Sequence, residues 1–289
     1  KCYLLSVLLM TVWLTGCVQE EFESTPSPAG NGIRFTLTVP DVNLPSVSSR
    51  TMTGTGTAKK EDEIETVDIL VFDMSKTPAV FLEWVSATGV TQDLADNSTV
   101  SFSAVLSPTT ASTCIVVVAN KELDNIVSGF TKGATTKVEA MEKMLHTQTG
   151  KWLADGSTTG GYTRIPMYGE KVISKITPSM DPITGINMKR MLARIDIRNN
   201  SATSNFTVEE VYLANYNTTG YIAPAWNTNG QVTDPVPDTP VLPAGSGKKT
   251  EEGDAILYSV NGNTPYDGEI YTFESLAAED AGGTGADGE

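Results

Sequence analysis

The chain has one histidine, three cysteines and few aromatic residues, 7% of the total. A single imidazole, His146, excludes a two-histidine metal site and leaves a Ser-His-Asp arrangement with one candidate base. Placed at the end of a helix, it is expected to meet free carbonyls rather than a substrate. Calcium loops need regularly spaced acids, and the acidic turns Asp155-Gly156 and Asp287-Gly288-Glu289 lack that spacing. Gly54-Thr55-Gly56 is half of a dinucleotide fingerprint and follows no strand. No catalytic residue, metal or cofactor is therefore expected, and the chain reads as a non-enzyme. Positive charge is also short. Lys and Arg total 20 against 35 Asp and Glu, a net charge of −15. Such a surface repels a phosphate backbone, so nucleic acid is not an expected partner. With Cys2 and Cys17 in the N-terminal segment, Cys114 has no internal disulfide partner. It opens the run Cys114-Ile115-Val116-Val117-Val118 and reads as an inert buried thiol. Trp84, Trp152 and Trp226 are scattered, as core residues are, rather than grouped as a sugar platform. Tyr212, Tyr216 and Tyr221 are expected to line a β-sandwich.

The apolar run that begins at Cys2 ends at Leu14-Thr15-Gly16-Cys17. It is too short to span a bilayer, which takes roughly 20 residues, and has the length of a signal-peptide core behind the basic Lys1. A small pair before a cysteine is the lipoprotein form of the cleavage site. Residues 1–17 are thus a signal with its lipobox, and Cys17 is the expected lipidation site.

Beyond a polar tether, Ile33-Arg34-Phe35-Thr36-Leu37-Thr38-Val39 alternates as a half-buried strand does, and Pro40 ends it. Residues 40–63 are rich in Pro, Ser, Thr and Gly and read as a long loop, which inside a domain usually has a job. Residues 64–73, 80–85, 99–106, 114–119 and 165–173 read as strands; 115–119 is apolar on both faces and should be central. Thr136-Lys137-Val138-Glu139 is a capping box. It opens a helix with Val138, Met141, Met144 and Leu145 on its inner face, His146 at its end and Gly150 as its stop.

A weak repeat follows. Met191, Ala193, Ile195 and Ile197 share a face as Ile33, Phe35, Leu37 and Val39 do, and residues 208–213 echo 64–69. Two related β-domains are expected, 51–185 and 186–289, with the boundary near 178–187. Residues 255–260 and 270–274 read as strands of the second domain, which then runs into the Gly/Ala/Asp tract 277–289 and reads as unfinished. With no initiator methionine, the sequence reads as a fragment.

Leu14–Cys17, Ser49-Arg50-Thr51, residues 65–73, residues 114–120, Pro166-Met167-Tyr168-Gly169 and residues 191–197 together resemble the fimbrillin family of type V pili, the Mfa-like major and minor shaft subunits. The resemblance implies a mainly β fold of two tandem transthyretin-like sandwiches, here with one short helix in the first and the second C-terminally truncated. It implies export as an outer-membrane lipoprotein, then removal of an N-terminal piece by an arginine-specific protease. A strand from a neighbouring subunit would fill the vacated groove, giving an extracellular fimbrium that supports adhesion. Family chains carry further C-terminal strands that this sequence lacks.

The residue chemistry suits that scheme. Arg50 lies in the long loop, where a protease can bind an extended substrate. A cut between Arg50 and Thr51 would free everything from Cys17 to Arg50, the tether and first strand (18–50) included, with the four apolar side chains Ile33, Phe35, Leu37 and Val39. Lys59-Lys60 is a competing, less specific basic site. The expected partners are other copies or related subunits, the protease, and the lipid anchor of the precursor. The alternative is a surface lipoprotein that does not polymerise, a pilus anchor or tip or a carbohydrate-binding module, which would keep Cys17 and the first strand.

Overall fold

Strict apolar–polar alternation makes β1 (Ile33–Thr38) a strand whose one face, Ile33, Phe35 and Leu37 with the following Val39, is buried. It pairs antiparallel with β5 (Thr99–Ala104) from Ile33↔Ala104 to Thr38↔Thr99. On its other side it runs parallel to β9 (Ile183–Asn187). The β1–β9 register shifts, with three residues of β9 against two of β1, Phe35↔Ile183 and Leu37↔Ile186. Gly185 sits in that bulge at φ +70°, a conformation side chains resist, and so both Ile183 and Ile186 turn inward. With β4 (Thr88–Gln92) the sheet order is β4-β5-β1-β9.

The computed structural model describes residues 33–39, 61–92, 99–148, 150–153, 163–196, 210–233, 241–244, 255–259 and 269–275. Facing the first sheet is a five-stranded one. Its order is β10 (Lys189–Arg190), β8 (Met167–Ile173), β6 (Thr113–Ala119), β2 (Val67–Asp73) and β3 (Val80–Ser86). Every residue of β6 is buried, and β6 is the middle strand, as its unbroken apolar run requires. One face of β2 and β6, with Ile69, Val71, Ile115 and Val117, meets β1, β5 and β9 in the sandwich core. The other face, with Leu70, Phe72, Val116 and Val118, packs on a second core under the helical layer. The fold is mainly β, with the five-stranded sheet covered on both sides.

Among the described residues two short helices occur where one was expected, α1 (Asp124–Val127) and α2 (Lys137–Lys143). The capping box of α2 forms: Glu139 N–H donates to Thr136 Oγ1, and the Glu139 carboxylate accepts from Thr136 N–H, which holds that acid below its usual range. The buried face differs from the expected one. Lys137, Ala140, Met141 and the following Met144 are buried, whereas Val138 and Leu145 are only partly so. Lys137 turns inward because its Nζ finds Glu170 Oε2 at 2.6 Å and the Gly230 carbonyl at 2.5 Å. Nor is Gly150 the stop. The helix ends at Lys143, and the chain enters β7 (Leu145–Thr147), paired with β13 (Thr219–Tyr221).

After Arg190 the described strands form two-stranded ladders: β11 (Leu192–Asp196) with β15 (Glu269–Phe273), and β12 (Glu210–Leu213) with β14 (Ile256–Ser259). The inner face expected for 191–197 is inverted past Met191. Ala193 and Ile195 are exposed, while Leu192 and Arg194 turn towards Phe273 and Tyr271 on β15. Ile197 lies outside the described residues. Tyr212 is also exposed rather than lining a sandwich, whereas Tyr216 is buried and Tyr221 packs edge-on against Trp226.

Candidate functional site

Four of the residues singled out in the sequence meet in one place. Ile33, Phe35, Leu37 and Val39 fill a slot between β5 and β9, none more than 5% exposed. Phe35 stacks on Phe102 with ring centroids 5.0 Å apart and planes 6° from parallel. Met188 N–H donates to the Thr38 carbonyl, fixing the far end of the strand. Burying each of these side chains contributes about 1.5–3 kcal/mol, so together they contribute about 6–12 kcal/mol. A whole domain is stable by about 5–15 kcal/mol. Because β1 is central, its removal would leave two unpaired strand edges over an open core. The other singled-out residues, Cys17, Arg50 and Thr51, lie outside the described residues.

The described chain resumes at an acidic stretch, Glu61-Asp62-Glu63-Ile64-Glu65, that leads into β2. Three arginines grip it. Arg194 Nη1 donates to Glu61 Oε1 at 2.5 Å, beside the Tyr271 hydroxyl at the same distance. Arg190 pairs with the Asp62 carboxylate, and Arg164 with Glu63 and Glu65 at 3.3 and 2.7 Å. Amide side chains hold the backbone. Gln92 donates to the Asp62 carbonyl and accepts from Ile64 N–H; Asn120 donates to the Glu63 carbonyl and accepts from Glu65 N–H. Glu61 itself is 5% exposed. Sequence reasoning passed over this stretch. The available signal was four acids in five residues, set in a chain whose arginines are few.

A polar cluster around the buried Lys137 was also missed. The Lys137–Glu170 pair binds α2 to β8 and to Gly230, and Glu170 also accepts from the Tyr168 hydroxyl at 2.6 Å. Burial, with the Glu170 charge beside it, pushes the Tyr168 phenol well up. Nearby Cys114 is buried, and burial pushes its thiol up to about 12, as an inert core cysteine requires. His146 does not meet free helix carbonyls. It lies in β7, 5.0 Å from the Trp152 ring and 6.4 Å from that of Phe273. Its Nδ1 is buried without a hydrogen bond among the described residues, and burial, then the Lys121 charge, lowers its pKa to about 4. A shallow cavity of about 240 Å³ lies at the other end of β2, lined by Asp73, Glu83, Thr109, Thr113 and Lys132; Glu83 there is occupied by Ser107. No group of metal-ligating side chains occurs among the described residues.

The sequence matches the model of the family described as major fimbrial subunit protein (FimA) over residues 33–236, well over half of the chain. The chain belongs to the FimA family. The FimA match begins at the first residue of β1 and takes in both sheets of the sandwich. Family membership gives the chain a structural role in a fimbrium at the cell surface, built by association with other pilus subunits. Among solved structures, the chain is similar to a candidate cell adhesion protein from Parabacteroides distasonis at 18% identity and a TM-score of 0.44, covering 87% of this chain and 73% of that one. A fimbrial assembly protein from the same species shares 11% identity with a TM-score of 0.37, covering 83% and 85%. A candidate adhesin from Bacteroides thetaiotaomicron shares 10% with a TM-score of 0.35, covering 88% and 75%. No curated protein sequence matches.

Proposed function

We propose that this FimA-family chain is a pilus subunit that polymerises by exchanging β1. It is exported as a lipoprotein with lipid on Cys17 and held at the outer membrane. An arginine-specific protease cuts between Arg50 and Thr51, the piece carrying β1 departs, and a strand from another subunit takes its slot. The fibre so formed supports adhesion. One observation carries the reading. β1 is an interior strand of its sheet, it buries Ile33, Phe35 and Leu37 together with the following Val39, and it is followed by residues 40–60, where the candidate cut falls. A strand of the same alternation would restore both ladders and the core, backbone bonds giving affinity and the side-chain pockets giving register.

N-terminal sequencing of the protein from isolated surface fibres tests this directly. A chain that starts at Thr51 and runs as a ladder of heat-labile oligomers is the expected result. Cell-surface protein that still begins at Cys17 and retains its own β1 would sink the exchange mechanism and leave a non-polymerising anchor, tip or binding module.

A further inference from the structure

We infer that Glu61-Asp62-Glu63-Ile64-Glu65 is the downstream boundary of N-terminal processing, the place where trimming stops and where the cut chain stays moored. The inference rests on the processing reading above. A protease needs several residues drawn out in extended form, free of their own contacts. Here successive residues are held. Side chains at 61, 62, 63 and 65 meet Arg194, Arg190 and Arg164, and the backbone at 62–65 meets Gln92 and Asn120. Drawing out Glu61 would strip the partly buried Arg194 and the buried Tyr271 of that acceptor, a loss that is costly at the Tyr271 hydroxyl, where water cannot replace it.

The partners come from β4, the turn after β6, the approach to β8, and β10, β11 and β15. None lies on β1. Withdrawal of β1 therefore breaks none of these contacts, and the entry to β2 stays fixed while the neighbouring slot stands open. Arg190 and Arg194 also belong to different sheets, so the same five residues tie the sandwich to the β11·β15 ladder.

The test uses the full chain with residues 54–58 replaced by the recognition sequence of a site-specific protease. After that cut, glutamyl endopeptidase is added, because it cleaves after Glu61, Glu63 and Glu65 if they open. Mass spectrometry follows the new N-terminus. The native segment should resist, and Arg190→Ala with Arg194→Ala should accelerate cleavage there about tenfold or more, since such cleavage tracks the population of the opened form. Tyr271→Phe keeps the ring in place and should give a smaller acceleration, which supplies the readout if circular dichroism shows the double variant unfolded. Equal rates in native chain and variants would overturn the boundary. So would a natural N-terminus beyond Glu65. A natural N-terminus at Cys17, with cleavage rates still dependent on the arginines, would instead sink the processing reading and leave the mooring intact.

Discussion

β1 and β11 are written in nearly the same pattern, and the protein treats them differently. Ile33-Arg34-Phe35-Thr36-Leu37 is bonded on both edges and buries every apolar residue. Leu192-Ala193-Arg194-Ile195 has one partner strand among the described residues and leaves Ile195 44% exposed. The inward face of β11 is set by what waits for it: Phe273 opposite Leu192, and Tyr271 and Glu61 for Arg194. Alternation fixes a strand's period. Its neighbours decide which of the two faces is inside, because one residue of slip exchanges the faces.

That contrast can be broken most forcefully at its centre. Phe35→Ala should cost about 3–5 kcal/mol, the cost of truncating a buried aromatic, whereas Ile195→Ala should cost under about 1 kcal/mol at its half-open site. Urea unfolding of the two variants measures both, and similar losses would erase the distinction.

The glycines sharpen it next. A Cβ on Gly169 would lie 2.7 Å from Met188 Sδ and 2.8 Å from Ile186 Cγ2, and one on Gly220 only 2.6 Å from the Phe273 ring. Each change to alanine should destabilise by about 1–3 kcal/mol, the usual range for overpacking. Gly169→Ala presses on the sandwich core and Gly220→Ala on the β11·β15 side. Hydrogen exchange should therefore loosen different strands in the two variants.

The smallest effect is with pH. His146 has a folded pKa of about 4, below its ordinary 6.5. Its neutral form is thus the one the fold prefers. That contribution is whole above pH 6.5 and fades as pH falls towards 4. Allowing for its partial exposure, the loss should be about 1–2 kcal/mol. His146→Gln should flatten the slope of stability against pH in that window, and an unchanged slope would show that other groups carry it.

Much of the sandwich was legible in the residues. Strict alternation marked β1, the apolar run marked β6 as central, and Thr136 with Glu139 marked the start of α2. What stayed hidden depends on contacts far along the chain. Lys137 reads as an exposed helix residue until Glu170 and the Gly230 carbonyl are seen around it. β9 carries two isoleucines on one face only because Gly185 makes a bulge. His146 sits in a strand of three residues, too short to show a period. The candidate slot was legible through its four apolar residues, but its acidic neighbour was not, since ion pairs between Glu61 and Arg194 leave no local pattern.

The two-sided bonding of β1 also has a mechanical consequence. A pull along the strand loads the rungs of both ladders in shear, so they must yield together, whereas a sideways pull at Ile33 would peel them one after another. If β1 is exchanged as proposed above, axial tension and replacement of the strand would meet different barriers in the same slot. Resistance to force is governed by the height of an unfolding barrier rather than by equilibrium stability, so a seat of this geometry can hold firmly under axial load and still be vacated from one end.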